Sequence, residues 1–376
     1  MNFPAISVNE LRDRARRRLP APVFDFVDGG AEDEIAIARN RHDLREIQLT
    51  GRVLGDSAPV DTSQMVWGTA IGTPLIVAPM GACGLLWPEA DVLIAQAATR
   101  ARIPFVLATF SNRSLEDVAK RAGGRRWFQL YPLQNAALMN SLVFRAARSG
   151  YEALVVTVDV AAPGKRERDA RHARASTGAR ARRMLDFAVK PGWCAQVARH
   201  GLPEFANLGQ PIPRANVALQ AGAQVDPGFD WDALRRIRDR WPGRLVVKGV
   251  QHADDAQRLW SIGVDGVWAS NHGGRQLDCA PSTPSILRSM SSVERGDGLL
   301  IADSGFRRGS DVLKGLTLGA NLVGLGRSVL YGVAAGGAIG AYRSIEIISE
   351  ELRQCMRLCG LKSLAGKPEA PFSSFL

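Results

Sequence analysis

The chain is 376 residues long, 46% hydrophobic, and carries 38 glycines and a formal net charge of +11. This composition fits a globular α/β protein and excludes a disordered or fibrous chain. The most apolar stretch, 331–341, is too short and glycine-rich to span a bilayer, and the charged first 20 residues hold no apolar signal core.

Residues 1–70 read as a helical extension, basic over 8–19 and aromatic over 24–27. From residue 74 onward, short apolar runs alternate with amphipathic stretches. The runs at 75–78, 105–108, 127–130, 153–158, 245–247, 266–269, 299–302 and 322–325 predict strands. The stretches at 90–102, 114–122, 136–149, 253–262 and 310–319 predict helices between them, with Ser114 an N-cap ahead of Glu116 and Asp117. Eight strand–helix units are the count that closes a (β/α)8 TIM barrel. An open doubly wound sheet would need a G-x-G-x-x-G turn after an early strand, and the sequence has none. Residues 1–376 are expected to form one barrel domain. The connection at 161–229 is expected to be an insertion or lid, with 178–183 and 207–213 its mobile interior.

Between 165 and 183, Lys165, Arg166, Arg168, Arg171, Arg174, Arg180, Arg182 and Arg183 meet only Glu167 and Asp169. Such a stretch suits either peripheral contact with an anionic membrane or a solvated loop. It lacks the interleaved aromatics that stack bases, so no nucleic-acid partner is expected. Five scattered cysteines (Cys83, Cys194, Cys279, Cys355, Cys359) include no CxxC pair. That is the pattern of a reduced, cytoplasmic protein with no metal site.

In a barrel the C-terminal ends of all strands face one mouth, so residues distant in sequence converge there. The first end carries Pro79-Met80-Gly81-Ala82, where a small residue permits close backbone approach. The third carries Gln129 and Tyr131, the fourth Thr157 and Asp159, and the fifth Lys248. The sixth empties into Ser270-Asn271-His272-Gly273-Gly274-Arg275-Gln276-Leu277-Asp278. There an imidazole can take a proton and a guanidinium can clamp a carboxylate. Asp159 beside His272 would form a dyad and raise the imidazole pKa, making it a better base. Lys248 is either a snorkelling surface lysine or a fixed positive charge facing a cofactor. Asp303-Ser304-Gly305-Phe306-Arg307-Arg308 and Gly326-Arg327 close the circuit. Their glycines, arginines and following helix start make a phosphate site by physical logic.

These residues carry a resemblance. The run Ser270 to Asp278, with Trp127-Phe128-Gln129-Leu130-Tyr131, Val247-Lys248-Gly249 and the two phosphate-site turns, resembles the FMN-dependent α-hydroxy-acid dehydrogenase and oxidase family over nearly the whole chain. That family includes glycolate oxidase and the bacterial L-lactate and (S)-mandelate dehydrogenases. The resemblance implies FMN as cofactor and oxidation of a small (S)-2-hydroxy acid to its 2-keto acid. It assigns His272 as base with Asp159 its partner, Arg275 and Arg166 as the carboxylate clamp, and Tyr131 as the hydroxyl at the reacting oxygen. Gln129, Thr157, Lys248 and Ser270 resemble flavin contacts, and Asp303, Gly305, Arg307, Gly326 and Arg327 the ribityl and phosphate site. Pro79, Met80, Gly81 and Ala108 would also border the flavin. Electrons would pass to a membrane quinone or cytochrome from a homo-oligomer, expected to be tetrameric, on the inner face of the cell membrane. Two other readings share the fold: an oxidase that uses O2 and gives peroxide, and an inactive flavin-binding barrel.

Three positions depart from the pattern. Phe26 stands where most members have a tyrosine that helps bind the carboxylate. Ala108 replaces a flavin-contacting serine, and Met80 a threonine. Gly81, where oxidase-like members have alanine, leaves out a methyl and so implies room for a bulky C2 substituent, as in mandelate. The 183–209 stretch instead resembles the L-lactate dehydrogenases.

Overall fold

A computed structural model describes residues 3–54, 59–173, 177–212 and 217–364. The strands are β1 (Leu75–Val77), β2 (Phe105–Ala108), β3 (Arg126–Leu130), β4 (Ala153–Thr157), β5 (Arg244–Val250), β6 (Gly266–Ala269), β7 (Leu299–Ala302) and β8 (Leu322–Leu325). They form a closed barrel in sequence order, with β8 pairing back onto β1 in parallel. The expected (β/α)8 architecture is therefore the observed one. Runs such as Ala153–Thr157 are buried at every position because helices cover the outside and side chains fill the inside. Every strand contributes at least one interior residue (among them Ile76, Val106, Trp127, Val155, Val246, Trp268, Ile301 and Leu322) to a single packed cluster, so the barrel is a filled core and its chemistry lies at the rim.

The extension is helical as far as Glu46: α1 (Val8–Arg18), α2 (Ala21–Asp28) and α3 (Ile35–Glu46). Ser7 caps α1 by accepting from the Glu10 N–H at 3.2 Å, and Pro20 precedes α2, where its missing N–H is harmless. Residues 64–71, expected to continue the helical extension, instead form an antiparallel hairpin. Its two turn residues, Trp67 and Gly68, both have positive φ (49° and 79°), as the tightest hairpin turn demands. The hairpin seats Val66 and Ile71 in the interior cluster and Trp67 against Trp127 (ring centroids 4.9 Å apart), which closes the end of the barrel opposite the site.

The 161–229 connection folds as helices Glu167–Ala173, Thr177–Ala188, Pro191–His200 and Val217–Gly222, with a two-residue hairpin of Glu204–Phe205 and Gln210–Pro211. Residues 178–183, read as lacking periodicity, lie within a helix. Helix Glu167–Ala173 is clasped to the extension. Arg168 pairs with Asp25, Asp28 and Glu34, and His172 Nε2 lies 2.7 Å from Asp25 Oδ2.

Candidate active site

The seven strand ends named from sequence do converge. A single cavity at the C-terminal mouth is lined by Pro79, Met80, Gly81, Tyr131, Thr157, Lys248, His272, Arg275, Asp303, Gly305, Arg307, Gly326 and Arg327. Phe26, from α2, and Arg166, from the 161–229 connection, complete it. Asp159, Gln129, Ser270 and Ala108 stand immediately behind this lining and are not part of it.

His272 adopts φ 57°, a left-handed conformation rare outside glycine, and its N–H donates to Ser270 Oγ at 3.0 Å. The imidazole Nδ1 faces both Asp159 oxygens, at 3.1 and 3.2 Å. Nε2 is left to the cavity, 3.4 Å from the Tyr131 hydroxyl. The dyad is thus present, but the expected rise in the His272 pKa is not. Burial pushes the imidazole below its ordinary value, and Asp159 pulls it up without overcoming that loss. Burial raises Asp159 in turn, yet the facing imidazole holds its carboxyl below the usual range. Burial, reinforced by Asp159, pushes the Tyr131 phenol well above its ordinary value, so it stays a neutral donor.

Three guanidiniums share this dry site. Arg275 donates to the Phe26 and Gly29 carbonyls (2.9 and 2.8 Å) and lies 5.4 Å from the Phe26 ring centroid. Arg166 keeps a buried Nε with no hydrogen-bond partner. Arg327 donates to the carbonyls of Val27, Gly273 and Gly29. Burial is the largest cause that lowers all three, and their mutual repulsion adds to it. Asp169, itself raised by burial, is the nearby counter-charge to Arg166 and Arg275. Clustered, desolvated cations with so little carboxylate around them form a site for anions.

Lys248 is 4% exposed, which removes the surface-lysine reading. Its ammonium donates to Ser270 Oγ at 2.9 Å and lies 3.3 Å from Asp303 Oδ2. Gln129 donates to Thr157 Oγ1 at 3.0 Å and accepts from the Thr109 N–H at 3.2 Å, so a planar amide and a hydroxyl are locked side by side. Around the phosphate-site turns, Gly326 precedes the helix Arg327–Leu358, and nothing lies within 4 Å of where its Cβ would stand. That open cradle at a helix start, with Arg307 on the same wall, suits a phosphate. Gly81 lines the cavity, and a methyl there would also come 3.2 Å from Phe110 Cβ and O, so the glycine accommodates Phe110 as well.

Several lining residues were not read from the sequence. Ser304 accepts from the Gly273 N–H (2.9 Å), and Gln276 donates to the Asp159 and Ala162 carbonyls (2.8 and 3.0 Å). Both belong to motifs already singled out. Phe110, Val160, Phe205, Val217, Ala221 and Val225 form an apolar wall, and no local motif marks them.

Of the basic 165–183 stretch, Arg166 and Arg168 turn inward, while Lys165 and Arg171 pair with Glu167. Arg174 lies outside the described residues. Among the described residues no helix is long and apolar enough to cross a membrane, and no group of side chains could hold a metal.

A buried imidazole–carboxylate pair, a cluster of desolvated arginines and an open glycine cradle at a helix start share one barrel mouth, the arrangement of a (β/α)8 enzyme that works with a phosphorylated cofactor. The family model described as FMN-dependent dehydrogenase matches residues 15–370, and the chain belongs to that family. It is 40% identical over 364 residues to an (S)-mandelate dehydrogenase of Pseudomonas putida, covering 96% of this chain and 92% of the relative. It is 39% identical over 364 residues to an L-lactate dehydrogenase of Caulobacter sp. (strain K31), covering 95% and 96%. Among solved structures it resembles one titled as monotopic membrane protein (S)-mandelate dehydrogenase, at 37% identity and a TM-score of 0.90, covering 98% and 99% of the two chains. The enzyme is an FMN-dependent dehydrogenase. The residues present fit the cofactor: the open cradle at Gly326 suits its phosphate, and the buried Lys248 would place a cation where a reduced ring gathers negative charge.

Proposed function

We propose that this enzyme oxidises an (S)-2-hydroxy acid bearing a bulky apolar substituent, mandelate-like, to the 2-keto acid. The observation that carries the reading is Arg166, buried with an unpartnered Nε, in one cavity with Arg275 and the His272–Asp159 dyad. A carboxylate held by both guanidiniums would set the neighbouring hydroxyl toward His272. Asp159 occupies Nδ1, so Nε2 is the atom that takes the hydroxyl proton, with Tyr131 donating to the same oxygen. Bound FMN supplies the two-electron acceptor for the hydrogen on C2. Lys248 holds positive charge in a dry site, and Gln129 and Thr157 offer polar atoms to the ring. The wall of Phe110, Phe205, Val217 and Val225 favours an aryl or long alkyl group over the methyl of lactate.

The acceptor in this reading is a quinone or cytochrome at a membrane surface. Met184, Leu185, Val189 and Leu202 are all more than half exposed on the 161–229 connection, with Lys190 and Arg199 in the same segment. Exposed apolar side chains with cations in the same segment support a peripheral seat on a bilayer. They support that seat better than the basic 165–183 stretch, whose described cations are largely paired.

Anaerobic flavin bleaching tests the reading. (S)-mandelate and longer 2-hydroxy acids are expected to bleach the flavin faster than glycolate, and the reduced enzyme to reoxidise faster with a quinone than with O2. A His272→Ala variant should keep its yellow flavin and lose bleaching by about a hundredfold or more. Full bleaching in that variant would overturn the assignment of the base.

A further inference from the structure

The apolar wall is held from outside the cavity by one amide. Asn207 is 3% exposed although it lies in the middle of the long connection. Its Oδ1 accepts the Leu115 N–H at 2.9 Å, one of the N–H groups that the start of helix Leu115–Ala122 leaves without an intrahelical partner. Its Nδ2 donates to Ser111 Oγ at 2.9 Å and, at longer range, to the Thr109 and Ala108 carbonyls at 3.4 and 3.5 Å. Two further bonds run alongside: Ala206 N–H to the Ser111 carbonyl (3.1 Å) and Asn112 Nδ2 to the Glu204 carbonyl (2.8 Å). Together they fix the turn after Glu204–Phe205 to the loop that leaves β2.

Phe205, two residues before Asn207, is carried by that turn. Its ring meets Phe110 edge-on at 5.2 Å, Phe110 lies 5.4 Å from the Tyr131 ring, and the Tyr131 hydroxyl reaches His272. The position of an aromatic wall residue is therefore set by hydrogen bonds that touch neither substrate nor cofactor. Only an amide meets the demand at 207. Aspartate would accept from Leu115 but set a carboxylate against the Thr109 carbonyl, and alanine would leave the buried Leu115 N–H and the Thr109 carbonyl short of partners.

We propose that Asn207 is a positioning residue for substrate selection: it locks Phe205 against Phe110 and so shapes the wall that receives the substituent on C2. This rests on the reading of the substrate as a bulky 2-hydroxy acid.

The test compares (S)-mandelate and L-lactate as reductants of the holoenzyme in wild type, Asn207→Ala, Asn207→Ser, Phe205→Leu and the Asn207→Ala/Phe205→Leu double variant. The expected result is a KM for mandelate raised tenfold or more in Asn207→Ala, with turnover of lactate within twofold and the pH profile unmoved. The double variant should match Phe205→Leu alone, because the amide has nothing left to position. If Asn207→Ala is insoluble, Asn207→Ser, which keeps one hydroxyl for the Leu115 N–H, carries the same comparison with a smaller shift. Equal losses for both acids, or additive losses in the double variant, would overturn the proposal. A wild type that neither acid bleaches overturns the substrate reading instead, and the two failures are thereby distinct.

Discussion

Gly249 and Asp159 occupy space that only one side chain can fill: a Cβ at 249 would stand 2.6 Å from both Cβ and Oδ1 of Asp159. Gly249 has φ 98° and sits where the β5–β6 register slips, so the bulge in β5 opens the niche that the Asp159 carboxylate enters. Gly249→Ala is expected to displace Asp159 from His272 and to lower kcat about a hundredfold, with FMN content unchanged. Stopped-flow bleaching beside a flavin-to-protein absorbance ratio measures both.

The pH profile follows from the burial of His272. The imidazole must be neutral to accept a proton, and burial sets its pKa below 6.5. In kcat/KM, activity should climb with pH along a limb whose midpoint lies below the ordinary imidazole value and level off above that limb. Asp159→Asn removes the upward pull on the imidazole, so the limb moves to lower pH. The plateau also falls, because the imidazolium formed on proton transfer has lost its partner. A limb that moves upward in Asp159→Asn would contradict this account.

Phe26 lies beneath Arg275 and lines the cavity. Restoring a hydroxyl with Phe26→Tyr is expected to add a hydrogen bond to the substrate carboxylate and lower KM by up to about tenfold, the equivalent of ~1.4 kcal/mol. Steady-state kinetics on one acid suffices. An unchanged KM would show that the ring edge faces away from the carboxylate.

Asp28 ties α2 to the rest of the molecule. It receives Arg12 through two bonds (2.6 and 2.8 Å), the Tyr331 hydroxyl at 2.7 Å and Arg168 at 3.2 Å. Burial raises its pKa, but Arg12 and Tyr331 outweigh it and hold the carboxyl down to about 2. A depressed pKa stabilises the fold above the unfolded value of about 4 and loses that contribution as pH falls through 2. Asp28→Asn should therefore cost on the order of 2 kcal/mol at pH 7 and nearly nothing at pH 2. Denaturant melts at several pH values read this directly.

The strands were legible because each is built on a short apolar run, and the fully buried parallel strand is the element that needs no alternation to be recognised. The strand-end residues followed from topology alone. The hairpin at 64–71 was not legible, since three-residue strands are too short to display a period and the Trp67-Gly68 turn is not a common hairpin pair. Phe205 and Asn207 were missed for a different reason. They belong to no strand end, and their roles depend on contacts with residues about 95 positions away. The direction of the His272 shift was also beyond the sequence. The partner Asp159 could be named, but the extent of burial that outweighs it is a property of the closed fold.

The same carbonyl, that of Gly29 just past α2, receives both Arg275 and Arg327. The arginines that line the cavity are thus also the latch of the N-terminal helices. Binding at the mouth and docking of the extension draw on one set of donors, so each must alter the free energy of the other by the same amount. Residues 3–46 are on this account a jaw of the catalytic machine. How firmly that jaw closes is a thermodynamic variable that the substrate and cofactor themselves can set.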